Sequence, residues 1–167
     1  MEAVLTQEMF QNAVDRALQD VVPKVTGISL LQGGPPPKGE IYTVHTVFEG
    51  TKQAGLSLCA DASLLTRLTQ SMMHQEQVTP ADLADAATEL FNVLCGHVVV
   101  ELYQATHLKI RFQIPQFSPG YSIPENRMHL FTLNYRSNKD ESIQVIHHIP
   151  LSLCKTGGEH LERRYMT

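Results

Sequence analysis

The sequence predicts a single α+β domain, mainly an antiparallel sheet packed with helices, one of them long. Three observations lead there. Strand-like runs follow one another through turns and do not alternate regularly with helices, which argues against βαβ units. Three other segments carry apolar residues at three- and four-residue spacing behind a capping residue. The chain has 167 residues, 43% hydrophobic and 18% charged, the size and balance of one globular domain with a real core.

Thr6 is a predicted N-cap. Phe10, Ala13, Val14, Ala17, Leu18 and Val21 follow at helical spacing, an amphipathic helix expected to end before Pro23. Residues 25–31 read as a short strand. Gly33-Gly34-Pro35-Pro36-Pro37-Lys38-Gly39 can be neither helix nor ladder and is too short for an interdomain linker, so it reads as a long hairpin connection. Residues 41–48, rich in β-branched and aromatic residues, and their partner strand 54–60, joined by a turn at 50–53, form a predicted hairpin.

Asp61 is placed to cap a helix over 62–74, with Leu64, Leu65, Leu68 and Met72 on its apolar side. Thr79-Pro80 marks the next start, threonine at the cap and proline at the first helical position. That helix runs to about Tyr103 and is the longest predicted element. Residues 108–114, 127–135 and 142–153 read as strands, separated by a Pro/Gly-containing loop at 115–126 and polar residues at 136–141. Pro150 places the last strand at an edge or a bulge. One domain, residues 1–167, is expected, with its core at about 5–154 and a loosely docked or mobile tail from Lys155.

Composition removes several function classes. A net charge of −4 and a pI near 6.0 argue against nucleic acid as the main partner, because phosphate binding needs clustered positive charge. No uninterrupted apolar run approaches the ~20 residues that cross a bilayer, so no membrane partner is expected. Acids stand near the N-terminus where a signal peptide would carry lysines, and a cytoplasmic location is expected. Cys59, Cys95 and Cys154 are widely spaced without a CxxC pair, as befits reduced core thiols. Of eight histidines none forms HxxxH with another, and His147 and His148 sit side by side in a predicted strand, facing opposite ways. No metal site is predicted.

The long helix separates into two faces when projected at about 100° per residue. Leu83, Ala87, Leu90, Leu94 and Val98 share the face that packs on the sheet. Asp82, Asp85, Glu89, Asn92 and Gly96 gather on the opposite face. Glu89 and Asn92 are three residues apart, so their side chains are neighbours. Gly96, one turn further, leaves the backbone open to a close approach or serves helix packing. Asn and Gly each cost a helix interior some stability. Such a face is commonly only solvated. A metal held by Asp82, Asp85 and Glu89 is a weaker alternative, since one helix supplies ligands from one side only.

The segment Ala87-Thr88-Glu89-Leu90-Phe91-Asn92-Val93-Leu94-Cys95-Gly96-His97 resembles the ExxN signature of the CheX/CheC family of chemotaxis phosphatases. In that family Glu and Asn lie on a long exposed helix with a Gly four residues after the Asn, matched here at Glu89, Asn92 and Gly96. The order of elements is similar too: an N-terminal helix, a hairpin, a helix ending in Met72-Met73, the signature helix and three strands. The closing segment Ile149-Pro150-Leu151-Ser152-Leu153 is similar to the family's last strand. The resemblance covers about residues 5–154, and a single ExxN copy is CheX-like. Thr88, Phe91 and His97 depart from residues common at those places.

The resemblance implies a phosphatase acting on the aspartyl phosphate of a CheY-like response regulator, or an adaptor of the same fold that binds the regulator without catalysis. The regulator would bring Mg²⁺, an acidic pocket and a Lys, so the chain needs no cofactor of its own. Asn92 would orient the attacking water, Glu89 would pair with the regulator's Lys, Gly96 would permit contact, and Asp85 would lie at the rim. A homodimer joined through sheet edges is a further expectation. A small-molecule hydrolase lacks an evident nucleophile–base pair.

Overall fold

The computed structural model describes residues 5–49, 55–107, 109–122, 128–150 and 160–161. Thr6 Oγ1 accepts the Met9 backbone N–H at 3.1 Å and caps α1 (Gln7–Thr26). All six apolar positions predicted for this helix are buried. The helix does not stop before Pro23. It runs one turn further, to Gly27, whose φ of 72° reverses the chain while its N–H reaches the Pro23 carbonyl at 2.8 Å. A proline near a helix end costs ~3 kcal/mol. Burial of Val21 and Val22 at roughly 1.5–3 kcal/mol each offsets it.

Because α1 absorbs Val25 and Thr26, the strand expected over 25–31 shrinks to β2 (Leu30–Gln32). The glycine- and proline-rich loop after it is not a hairpin connection. β2 pairs with β6 (Met128–Ser137), whereas β3 (Ile41–Val47) pairs with β4 (Gly55–Asp61) and β5 (Gln116–Pro119). The loop therefore carries the chain from one edge of the sheet toward the other, tied early by the Gly33 N–H to the Asn134 carbonyl at 2.7 Å.

The six strands lie in the order β2-β6-β7-β4-β3-β5, β7 being Ser142–Pro150, with every neighbouring pair antiparallel. The β3–β4 hairpin is as predicted; its turn at 50–53 lies outside the described residues. Two strand predictions change. Residues 109–114 form no named strand: they join the sheet at an isolated bridge between Phe48 and Phe112, where Thr46 Oγ1 of β3 also donates to the Gln113 carbonyl at 2.5 Å, Leu108 lying outside the described residues. The supposed loop at 115–126 contains β5, which ends on Pro119 and occupies an edge, where a missing N–H breaks no central ladder. β7 is central, but its pairing with β4 ends at Gly55 opposite His148, two residues before Pro150.

β1 (Leu5–Thr6) and β8 (His160–Leu161) form a separate two-stranded pair. Of the predicted tail, only these two C-terminal residues are described, and they are paired. Residues 151–153 of the predicted last strand, Cys154 and the rest of the tail lie outside the described residues.

Period-two alternation sorts the central strands. Leu56, Leu58, Ala60, Ile143 and Val145 join one apolar cluster with α1, α2 (Ala62–Met73) and α3 (Pro80–Thr106). The opposite face holds Ile41, Cys59 and Ile146 with a buried polar layer. There Tyr121 Oη donates to Gln144 Oε1 at 3.0 Å and Gln144 Nε2 donates to Asn134 Oδ1 at 2.8 Å. Asp61 does not cap α2 with its side chain. Its carboxylate instead accepts the backbone N–H groups of Lys38 at 3.0 Å and Ser142 at 2.7 Å, pinning the crossing loop to β7.

Candidate functional site

The candidate site is one stripe of α3, and the rest of that helix explains why the stripe is bare. Leu83, Ala87, Leu90, Leu94 and Val98 are buried as predicted, joined by Ala86, Phe91, Cys95 and Leu102. α1 and α2 pack along the flanks of α3. The helix is long and apolar enough to cross a membrane by length and composition. Its apolar residues are instead those of a core helix. Phe91, one of the departures from the family's pattern, belongs wholly to the core.

Asp85, Glu89, Asn92 and Gly96 are all exposed, at steps of four, three and four residues. Asp82 has a different task from the one its position on the same face implied: its carboxylate accepts the Thr79 N–H at 2.8 Å and its own N–H reaches Thr79 Oγ1 at 3.1 Å. This capping box holds the first turn. A Cβ added at Gly96 would meet nothing within 4 Å. Packing within the chain therefore does not require a glycine there, which removes the helix-packing alternative.

His97 is exposed beside Gly96 and lines a cleft of about 320 Å³ between α1 and α3 with Arg16, Ala17, Gln19, Asp20 and Glu101. Arg16 and Glu101 pair across it at 2.5 Å. The exposed stripe itself continues beyond Gly96 to Val100, Tyr103 and His107. The same helical projection carried two turns further aligns these residues with the motif, but Val100 and Tyr103 by residue type alone read as core.

Chemically, the stripe offers one carboxylate and one carboxamide a helical turn apart. The carboxamide presents a donor and an acceptor at any pH and can hold a water by both its oxygen and a proton. Among the described residues no group of three or more His, Cys, Asp or Glu could hold a metal, and the carboxylate of Asp82 is engaged in its capping box.

Two other constellations lack the access that chemistry needs. His45 Nδ1 lies 3.0 Å from Ser57 Oγ, a serine–histidine contact that the sequence did not suggest. Ser57 is wholly buried on the far side of the sheet from the helices, and the His45 ring stacks on His148 at 4.9 Å. Burial holds His45 below the ordinary histidine pKa. Cys59 and Cys95 are free buried thiols, as predicted. Burial raises the pKa of both, that of Cys95 to about 12, so neither is a ready thiolate.

An antiparallel sheet backed by helices, with a Glu/Asn pair bare on the longest of them, defines an α+β domain whose candidate site is one helix face. The family model of the chemotaxis phosphatase CheX matches residues 42–129, more than half of the chain, and the chain belongs to that family. A comparison with curated proteins returned no match. Solved structures agree on the fold. A CheX–CheY–BeF3–Mg²⁺ complex from Borrelia burgdorferi matches with a TM-score of 0.68 at 19% identity, covering 87% of this chain and 98% of that one. CheX from Vibrio vulnificus matches at 0.67 and 16%, covering 84% and 96%. FliY from Thermotoga maritima has a TM-score of 0.62 at 15% identity, covering 90% and 93%.

Proposed function

We propose that this chain hydrolyses the aspartyl phosphate of a CheY-like response regulator. The observation that carries the reading is the bare Glu89–Asn92–Gly96 stripe on α3, in a chain of the CheX family. A CheX–CheY complex among structures of the same fold supports the choice of partner.

An acyl phosphate is already activated, and the regulator supplies Mg²⁺ and a lysine to balance charge on the phosphoryl group. What remains to be supplied is an ordered nucleophile. Asn92 holds a water in line with the scissile bond, a gain in orientation and not in acid–base chemistry. Glu89 pairs with the regulator's lysine and sets how the helix enters the pocket. Gly96 lets the partner's backbone come close, and Asp85 touches the rim. No metal of the chain's own takes part. The domain works in the cytoplasm, where such regulators act, and as a homodimer joined through a sheet edge.

A second reading is a regulator-binding adaptor without catalysis, which the same exposed Glu89–Asn92 face would serve by docking alone. Decay of a phosphorylated regulator with stoichiometric protein decides between them. Accelerated decay supports the phosphatase. Binding with unchanged decay leaves the adaptor.

A further inference from the structure

We propose that Val100 and Tyr103 form an apolar docking patch for the same receiver domain whose phosphate faces Glu89 and Asn92, a reading that rests on the function proposed above. Val100 is 57% exposed and Tyr103 43% exposed, the two large hydrophobic residues of α3 that are exposed. Tyr103 stands eleven residues beyond Asn92, and Val100 eleven beyond Glu89. Eleven residues make three turns to within about 20°, so each apolar residue sits directly up the helix from one motif residue.

The footprint of a stable complex calls for such residues. From Glu89 to Gly96 the motif spans only ~10 Å of helix. A standard interface covers about 800 Å² per partner, a disc of roughly 16 Å radius, and Tyr103 lies ~16 Å along the axis from Asn92. A receiver centred on Asn92 therefore reaches Val100 and Tyr103. Interface anchors are enriched in tyrosine because a large ring is buried with little loss of rotamer freedom. Here the ring already rests edge-on against His107, with centroids 5.8 Å apart and planes at 84°.

The stripe thus changes chemistry along its length, acidic at Asp85 and Glu89 and apolar at Val100 and Tyr103. Its occupant must present a basic group opposite Glu89 and an apolar rim about 16 Å away. Regulators sharing the phosphorylation pocket but lacking that rim would bind weakly, so the patch selects among them.

The test uses the full chain and receiver domains charged with beryllofluoride and Mg²⁺ for affinity, and phosphorylated receivers for single-turnover decay. The Val100→Ala/Tyr103→Ala variant should weaken affinity at least tenfold and leave the decay rate at saturation within twofold of wild type. Tyr103→Phe, which keeps the ring, should restore affinity to the Val100→Ala level. Unchanged affinity in the double variant, while Asn92→Ala still abolishes acceleration, overturns the patch and leaves the phosphatase reading standing. A changed sedimentation coefficient with unchanged receiver affinity would assign the patch to a second copy and also overturn it. If the wild-type chain binds no receiver, both readings fall together.

Discussion

Thr79 and Asp82 exchange two hydrogen bonds across the first turn of the site helix, one at 2.8 Å and one at 3.1 Å. The reciprocal pair satisfies two backbone donors that a helix start leaves open, and Pro80 behind the cap has no N–H to satisfy. Thr79→Ala should cost about 1 kcal/mol, lowering the melting temperature by roughly 2–4 °C. Thermal melts followed by circular dichroism check this. The decay rate at saturation should stay near wild type, since Asp82 serves the cap.

Asn92→Ala should slow regulator dephosphorylation by about 100-fold or more, toward the regulator's own decay, with affinity nearly unchanged. Rapid-mixing decay of the phosphorylated regulator measures the rate. Full activity in this variant would remove Asn92 from the mechanism.

Glu89→Ala should act on binding. Truncating one side of a charge pair that becomes buried in an interface costs about 2–5 kcal/mol, a loss of affinity of roughly thirtyfold or more. Titration calorimetry with a beryllofluoride-charged regulator reads it directly, and equal affinity would contradict the assigned role.

Gly96 separates stability from docking. A methyl group there meets no atom within 4 Å, so Gly96→Ala should stabilise the fold by about 0.5–1 kcal/mol through helix propensity. Gly96→Leu should fold equally well and bind the regulator at least several-fold more weakly, because its side chain stands where the partner's backbone must approach. Melting temperature and affinity, measured on both variants, should move in opposite directions.

His147 makes stability depend on pH. Its ring stacks on Phe10 at 4.1 Å, and burial, with His148 adding to it, lowers its pKa from 6.5 to about 3. Above the unfolded value neither state binds the proton, so the group contributes no slope. As pH falls below about 6.5 the unfolded chain takes up a proton that the folded one refuses, and stability drops by up to ~1.4 kcal/mol per unit until about pH 3. His147→Phe keeps an aromatic ring against Phe10 and should flatten that part of the profile. Urea unfolding at pH 7, 6, 5 and 4 tests the difference; parallel profiles would exclude His147 as the source.

Much of this was readable from spacing alone. The buried stripe of α3, the Thr6 and Thr79 caps and the β3–β4 hairpin each follow from local rules. The exposed quartet Asp85, Glu89, Asn92 and Gly96 follows from the same helical period. What was missed is non-local or locally contradictory. β5 ends on Pro119 and follows Pro115, which makes it read as a loop until an edge position excuses the proline. The destination of the loop after β2 depends on Asn134, one hundred residues away, and Asp61 is claimed by Lys38 and Ser142 and not by its own helix. Val100 and Tyr103 escaped notice because apolar residues on a long helix read as core until burial is known.

The order of strands has a kinetic side. Two local hairpins, β3–β4 and β6–β7, close early because short loops cost little entropy. They meet along β4 and β7, a seam between residues more than eighty positions apart, and a Cβ at Gly55 would lie 2.9 Å from the His148 ring across that seam and 2.1 Å from the Thr46 carbonyl oxygen within its own hairpin. α3 lies between the two hairpins in the chain, and its buried residues share one core cluster with Leu58 and Val145 from the two sides of that seam. That core is complete only when the seam has formed, so Gly55→Ala, on a different element from Asn92, should slow folding more than a change on the exposed face of α3.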